Sequence, residues 1–458
     1  MAITKVTSKV LEDNVTVAGN LEVSSGTIKL DGNYPTGTGN VALGDTALDS
    51  LTSGGYNTAI GSNALTANTE GSANVAVGYI SLDALLTGNY NVAVGSESLT
   101  DLTSGSFNTA VGDGAAANTT TASNNSAFGS GSLLTNLIGA NNTGIGKDAL
   151  RANTSSDNTA VGSASMLSNT SGRYNTAVGR QSLRFNSTAN NNTAVGYRSL
   201  DQNTTGFSNT AIGYAALRDN DTGNSNIAIG DSALISNTTG VNNVAVGSLA
   251  LDAHTTGTDN VVIGYAAGSA ITTGSENTAV GAYALAQNNS GVGGNTAFGR
   301  AAGYDVTSGI RNILIGEDAG RSNSPATITS QSDRIVMGNS AITNAYIHVA
   351  WTVTSDQRDK TEIQDIPVGL DLVNNLRPVS YKFRENRDSD TAVGKTKYGF
   401  LAQEVITAEG DNPVIADNEE ADKLKMTTDN LVAVLTKAIQ EQQTIIDDLK
   451  SRIETLEG

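Results

Sequence analysis

From residue 40 onward the apolar positions of this chain return on a fixed beat. A short string, Asn-(Thr/Val)-Ala-(Val/Ile)-Gly or a close variant, starts at Asn40, Asn57, Asn74, Asn91 and so on to Asn312, with a spacing of 17 broken once by 16 and once by 18. That regularity marks an internal repeat of seventeen copies. The unit at residues 209–225 reads N-T-A-I-G-Y-A-A-L-R-D-N-D-T-G-N-S. Period 2 sets Ala211 against Thr210 and Ile212, the alternation of a short strand with one face inward. Gly213 permits the turn that ends the strand, Ala216 and Leu217 supply a second apolar segment, and a polar stretch closes the unit as a loop. No Pro occurs between residues 36 and 324, as stacked backbone ladders require every N–H. One such unit cannot bury its own apolar side, whereas a stack can. The pattern therefore predicts a β-solenoid or β-roll with one coil per repeat, on the order of 80 Å long at the strand spacing. Each coil offers few apolar side chains, many of them only Ala, so the core is thin. Burial of the Ala and Leu columns against identical neighbouring chains is expected to supply the rest.

A different beat governs the C-terminus. Val432, Leu435, Ile439, Gln442, Ile446, Leu449, Ile453 and Leu456 follow one another in steps of 3 and 4, a heptad seam on one helix, with Asp429 and Asn430 as candidate N-caps. The β-branched residues at one seam position with Leu at the other favour two strands on their own.

Composition divides the chain at the same place. Residues 355–458 hold 13 Lys/Arg and 21 Asp/Glu, about a third of their positions, against about a tenth in the residues before. Gly divides the opposite way, 45 before Ser355 and 5 from it onward, which marks a domain boundary. The net charge of −18 disfavours nucleic acid and anionic membrane as partners, since both lean on Lys/Arg contacts. Cysteine is absent, removing disulfides, thiolate metal sites and Cys nucleophiles; no metal and no cofactor are expected. No apolar run approaches a membrane span, and residues 1–14 show no apolar signal region.

Function classes can be weighed on the repeat. An ice-binding face needs ranks of Thr-x-Thr, yet Val75, Val92, Ile227 and Val261 replace the strand's Thr. A polysaccharide-cleaving fibre needs a pair of carboxylates in one groove, and the acidic residues are scattered through the loops. Aromatic residues recur before the Asn (Tyr56, Tyr90, Phe107, Tyr174) and after the Gly (Tyr79, Tyr197, Tyr214, Tyr265), where they are expected to pack along the stack or at chain interfaces rather than to hold sugars. The repeat resembles the coils of trimeric adhesin heads and the shafts of phage tail fibres.

The last 104 residues carry the sharper signal. "TSDQRDKTEIQDI", "GLDLVNNLRPVSYKF", "YGFLAQEV", "NPVI" and "AIQEQQ" follow in order from residue 354 to residue 443. In that order and spacing the segment resembles the endosialidase-type intramolecular chaperone, the self-cleaving C-terminal domain of phage tail fibres and tailspikes. The resemblance implies trimerisation of three chains followed by cleavage just before Ser355, with Ser355 as nucleophile, Lys360 as its base and Asp356 and Arg358 in support. A Ser–Lys dyad is sound chemistry here, because a Ser hydroxyl needs a base and the two His residues, His254 and His348, both lie outside this domain. The five-residue step from Ser355 to Lys360 requires a turn, or a neighbouring chain, to bring the two together. At most this is single-turnover serine autoproteolysis; no turnover enzyme is expected in the shaft.

The chain is thus expected to be mostly β. Residues 1–39 read as an N-terminal β cap or attachment segment, 40–320 as the repeat shaft, 321–354 as a distal tip, and 355–458 as an α+β chaperone domain ending in a coiled-coil-like helix. The function expected is a homotrimeric phage tail fibre for host attachment, located in the virion and assembled in the bacterial host cytoplasm. Its expected partners are copies of itself, a tail or baseplate protein at the N-terminus and a host-surface glycan or protein receptor; nucleic acid and membrane insertion are not expected. Tyr346, His348 and Trp351 at the tip are candidate receptor contacts. A trimeric cell-surface adhesin and a tail-borne polysaccharide depolymerase are the alternatives.

Overall fold

In the computed structural model the described residues are 37–288, 293–342, 344–346, 348, 355–384, 389–411 and 413–458. The attachment segment, apart from residues 37–39, lies outside them, as do Trp351 and Thr354. Two compact units, residues 1–174 and 175–458, are taken in turn.

The first unit is a β-solenoid whose three-residue strands run from Val41–Leu43 to Thr159–Val161, one per repeat. Each strand pairs in parallel with the next at matching repeat positions, as Val75↔Val92, Ala76↔Ala93 and Val77↔Val94. The 16-residue step changes nothing in that register: Thr143 faces Thr159, and the shortening falls in the loop around Ser155.

The second unit continues the same pattern from Thr176–Val178 to Ile335–Met337. Here the 18-residue step is again absorbed outside the strands, with Thr278 facing Thr296. The ladder does not stop at residue 320: Ile335–Met337 pairs with Ile313–Ile315 after a coil lengthened to 22 residues.

Within a coil the expected alternation holds, with Thr210 half-buried, Ala211 buried and Ile212 exposed. The Ala column and the Leu column, for example Ala211, Ala228 and Ala245 with Leu217, Leu234 and Leu251, are fully buried inside a single chain. This corrects the expectation that those columns need neighbouring chains for cover. The coil closes around its own core, which is only one or two side chains deep, so small Ala suits it.

What the core lacks in volume is made up in hydrogen bonds. The repeat's Asn is buried and forms a ladder within each unit. Asn226 Oδ1 accepts from the Asn243 backbone N–H (3.0 Å) and from Asn243 Nδ2 (3.2 Å), while Asn226 Nδ2 donates to the Gly240 carbonyl (2.8 Å). A second ladder runs through Asn186, Asn203, Asn220 and Asn237, each donating to the side-chain oxygen of the one before. His254 stands at the next position, where the ladder ends with Asn237 Oδ1 unpaired.

Left-handed residues let one coil bond both neighbours. In residues 209–225, Ala215, Leu217 and Ser225 have φ of 52°, 50° and 56°. Their N–H groups donate alternately to the preceding coil (Tyr197 O, Phe207 O) and the following one (Ala233 O). Such φ values carry an intrinsic cost of about 1 kcal/mol or more per residue, so an isolated coil has no reason to persist. Gly213, at φ 139°, lies so close to the next coil that a Cβ would sit 2.3 Å from the Gly230 carbonyl oxygen. Aromatics stack from coil to coil, as Tyr90 on Phe107 (centroids 5.1 Å apart) and Tyr197 on Tyr214 (5.5 Å).

After the solenoid the second unit changes character. Helix α1 (Leu370–Asn375) leads to a hairpin of Val379–Arg384 and Ala392–Gly399, then helix α2 (Ala402–Glu409), a small hairpin of Ala416–Asp417 and Lys425–Met426, and the 30-residue helix α3 (Thr428–Glu457). Leu372, Val405, Ile415, Ala416, Leu431 and Val434 form its core, with Leu376, Phe400 and Met426 packed against them. The α3 cap is Thr427 rather than Asp429 or Asn430; Asn430 Nδ2 instead donates to the Val414 carbonyl (2.6 Å).

Candidate functional site

Ser355 and Lys360 lie on either side of a single 3-10 turn, Gln357–Asp359. The turn forms because Asp356 caps it: its carboxylate accepts the Arg358 backbone N–H (2.8 Å) and at the same time a forked pair from the Arg358 guanidinium (Nε 3.1 Å, Nη2 2.6 Å). Arg358 holds the Asp356 carboxyl below the usual carboxylate range, through both the side-chain and the backbone hydrogen bond, and Asp356 in turn raises Arg358. The chain reverses just enough for Lys360 Nζ to reach Ser355 Oγ, 2.6 Å away. Asp356 and Arg358 thus act on the turn rather than on the hydroxyl.

Proximity is one half of what a Ser–Lys dyad needs; the other is removal from water, which favours the neutral amine able to take a proton. Both side chains are exposed in the single chain.

The downstream motifs brace the domain that follows the turn. Arg377 of the L-R-P-V string forms an ion pair with Glu404 of the A-Q-E-V string, its Nε 3.1 Å from Oε2, and so ties the start of the long hairpin to α2. Glu441 of A-I-Q-E-Q-Q accepts the Leu370 N–H (2.7 Å), fastening α3 to the start of α1. A Cβ at Gly369 would come within 2.4 Å of the Glu441 carboxylate, so a larger residue there would shift that side chain. Glu409 at the end of α2 accepts three consecutive N–H groups, from Val414, Ile415 and Ala416 (2.7–3.0 Å), which shapes the chain around "NPVI". None of these roles was specified by the motifs as read in sequence.

Helix α3 presents two different stripes. Leu431, Val434 and Ala438 are its buried residues and face its own domain. The heptad seam lies elsewhere on the helix: Val432, Leu435, Ile439, Ile446, Leu449, Ile453 and Leu456 are all exposed, Ile439 at 65% and Leu456 at 87%.

Tyr346 is 94% exposed and His348 is exposed, while Trp351 falls outside the described residues. Among the described residues no group of His, Asp and Glu is arranged to hold a metal ion, and no helix is long and apolar enough to cross a membrane.

A repeat solenoid followed by this small α+β domain fits a tail fibre with an endosialidase-type chaperone domain. Residues 355–414 match the family model described as chaperone of endosialidase. The matched stretch begins at Ser355 and takes in the turn, α1, the long hairpin and α2. No curated protein and no solved structure matches the chain.

Proposed function

We propose that the chain is a homotrimeric phage tail fibre for host attachment, assembled by its C-terminal domain, which then cuts itself from the shaft before Ser355. The observation that carries assembly is the exposed heptad seam of α3, a stripe distinct from the one that packs on the domain's own core. A single chain leaves this stripe in water, and a large exposed apolar stripe marks an interaction surface. Three copies would cover it and in the same act bring protein surface over the exposed turn of residues 355–360. Assembly then switches on the chemistry by desolvating Lys360.

The step balances without a cofactor. The Lys360 amine takes the Ser355 hydroxyl proton as Oγ attacks the Thr354 carbonyl carbon, and that proton passes to the departing Ser355 nitrogen. An ester between Thr354 and Ser355 Oγ results. Water then cleaves the ester, leaving a carboxylate on Thr354 and a free amine on Ser355. In the virion the N-terminal segment joins a tail or baseplate protein, and the shaft with its tip meets a host-surface glycan or protein, with Tyr346, His348 and Trp351 as candidate contacts. Synthesis and assembly take place in the bacterial host cytoplasm.

Intact-mass measurement of the purified, assembled chain tests the reading. Wild type should resolve into residues 1–354 and 355–458, and Ser355→Ala or Lys360→Ala should remain whole. A wild-type oligomer that stays intact on prolonged incubation removes the protease and leaves the chaperone.

A further inference from the structure

The last coil of the solenoid departs from the repeat in two ways at once. It spans 22 residues between equivalent strand positions, Ile313 and Ile335, instead of 17. It also carries Arg334 where every preceding coil carries the ladder Asn. The Arg334 backbone keeps the ladder's last bond, its N–H donating to Asn312 Oδ1 (3.0 Å). Its side chain leaves the coil and makes a two-pronged contact with Glu419, Nη2 to both carboxylate oxygens at 2.8 and 2.9 Å.

Glu419 belongs to the loop of the small hairpin, and that loop meets the lengthened coil at two further points. The Thr327 N–H donates to Glu420 Oε2 (3.3 Å). Lys423 Nζ donates to the Arg321 carbonyl (3.3 Å), the Ser324 carbonyl (2.8 Å) and Thr327 Oγ1 (2.7 Å). The loop is braced for the purpose: Lys425 Nζ holds Glu420 at 3.3 Å, and the Glu419 N–H donates to Asp417 Oδ1 (2.9 Å). Carbonyls in a regular coil are met by N–H groups of the adjacent coil, as Ala233 O by the Leu217 N–H. In the lengthened coil the Arg321 carbonyl accepts from the Ser324 N–H (2.9 Å) of its own segment, and an ammonium with three rotatable donors can meet it together with the Ser324 carbonyl and the Thr327 hydroxyl.

We infer that residues 321–334 form a docking socket for the loop 417–425 of the same chain, and that this joint holds the C-terminal domain on the last coil when the peptide link between them is cut. The domain is then retained on the fibre by charged contacts instead of leaving at cleavage, and the socket stays covered until those contacts are broken. The loop lies beyond residue 414, outside the stretch shared with the chaperone family. The inference rests on these contacts alone and not on self-cleavage.

The test uses the full chain with Ser355→Ala, to silence any self-cleavage, and a specific protease site placed within residues 349–354. After cutting at low salt, the two fragments should co-elute in size exclusion. Lys423→Met with Glu419→Gln should lower the retained fraction by about an order of magnitude, as expected when charge-assisted hydrogen bonds are removed, while the uncut double variant elutes as the parent does. The charge exchange Arg334→Glu with Glu419→Arg should restore retention lost in either single change, which a folding defect would not do. Separation of the unaltered fragments at low salt overturns the socket. So does retention that is indifferent to the double variant, or an exchange that fails to rescue.

Discussion

Replacing Asn226 by Ala tests whether the buried Asn ladder, rather than the thin apolar core, holds the coils in register. The substitution removes the acceptor of the Asn243 backbone N–H and the donor to the Gly240 carbonyl. Asn243 N–H is then buried with no acceptor, whereas Gly240 O keeps a 3.2 Å bond from Asn237 Nδ2. An orphaned buried N–H and a lost side-chain bond together amount to about 3 kcal/mol, or roughly two orders of magnitude in a local opening equilibrium. Repeat stacks transmit such a loss mainly to nearest neighbours, so the effect should be confined to the coils around residues 209–246. Hydrogen exchange followed by mass spectrometry reads this directly, because the protected amides of those coils should exchange roughly a hundredfold faster. Thr239→Ala, at an exposed loop position of the same coil, is the control and should change stability by no more than about 0.5 kcal/mol. Equal exchange in the two variants would refute the reasoning and return the stabilisation to the Ala and Leu columns.

Two further outcomes are expected. His254 is fully buried in the second ladder, its Nε2 3.0 Å from the Gly257 carbonyl, and burial lowers its pKa. The unfolded chain therefore binds the proton first, so this residue's contribution is complete above about pH 6.5 and is lost as pH falls below it, at no more than about 1.4 kcal/mol per pH unit. His254→Asn should flatten that acid slope in urea unfolding and raise stability, because Asn237 Oδ1 now lacks a partner; an unchanged slope would assign the acid sensitivity to other groups. Ile439→Glu, on the exposed seam, should reduce the assembly to monomers in sedimentation velocity while helicity is kept; an unaltered oligomer would show that the seam is not the interface.

The solenoid was legible because its signal is strictly local and repeated. The alternation at Thr210, Ala211 and Ile212 and the turn at Gly213 recur in every coil, and the structure follows them. The side on which the core closes was not legible. Ala and Leu columns read equally well as a chain interface or as the inside of a narrow coil, and only the backbone path decides between them. The ladder Asn could have been found from its invariance in place along the repeat, since a polar residue kept at one position in every coil is either a surface feature or a buried hydrogen-bonding one. At the C-terminus the sequence named Ser355 and Lys360 as partners, and the Asp356-capped turn supplies the reversal that a five-residue step leaves open. The joint of Arg334 and Lys423 with their partners spans 85 to 102 residues of chain, a separation at which no local pattern speaks. Its only trace was a coil too long and an Arg where an Asn belonged.

Every regular coil offers the same hydrogen-bonding edge to the coil above and to the coil below, and the final coil is lengthened to 22 residues. Excision of one whole repeat from the interior of either unit joins two edges that already fit, strand to strand and Asn to Asn. Duplication of one repeat does the same. The number of coils is therefore free to change one repeat at a time while the strand and Asn ladders stay in register. What cannot drift is the terminus bearing Arg334, because its side chain is matched to a single loop.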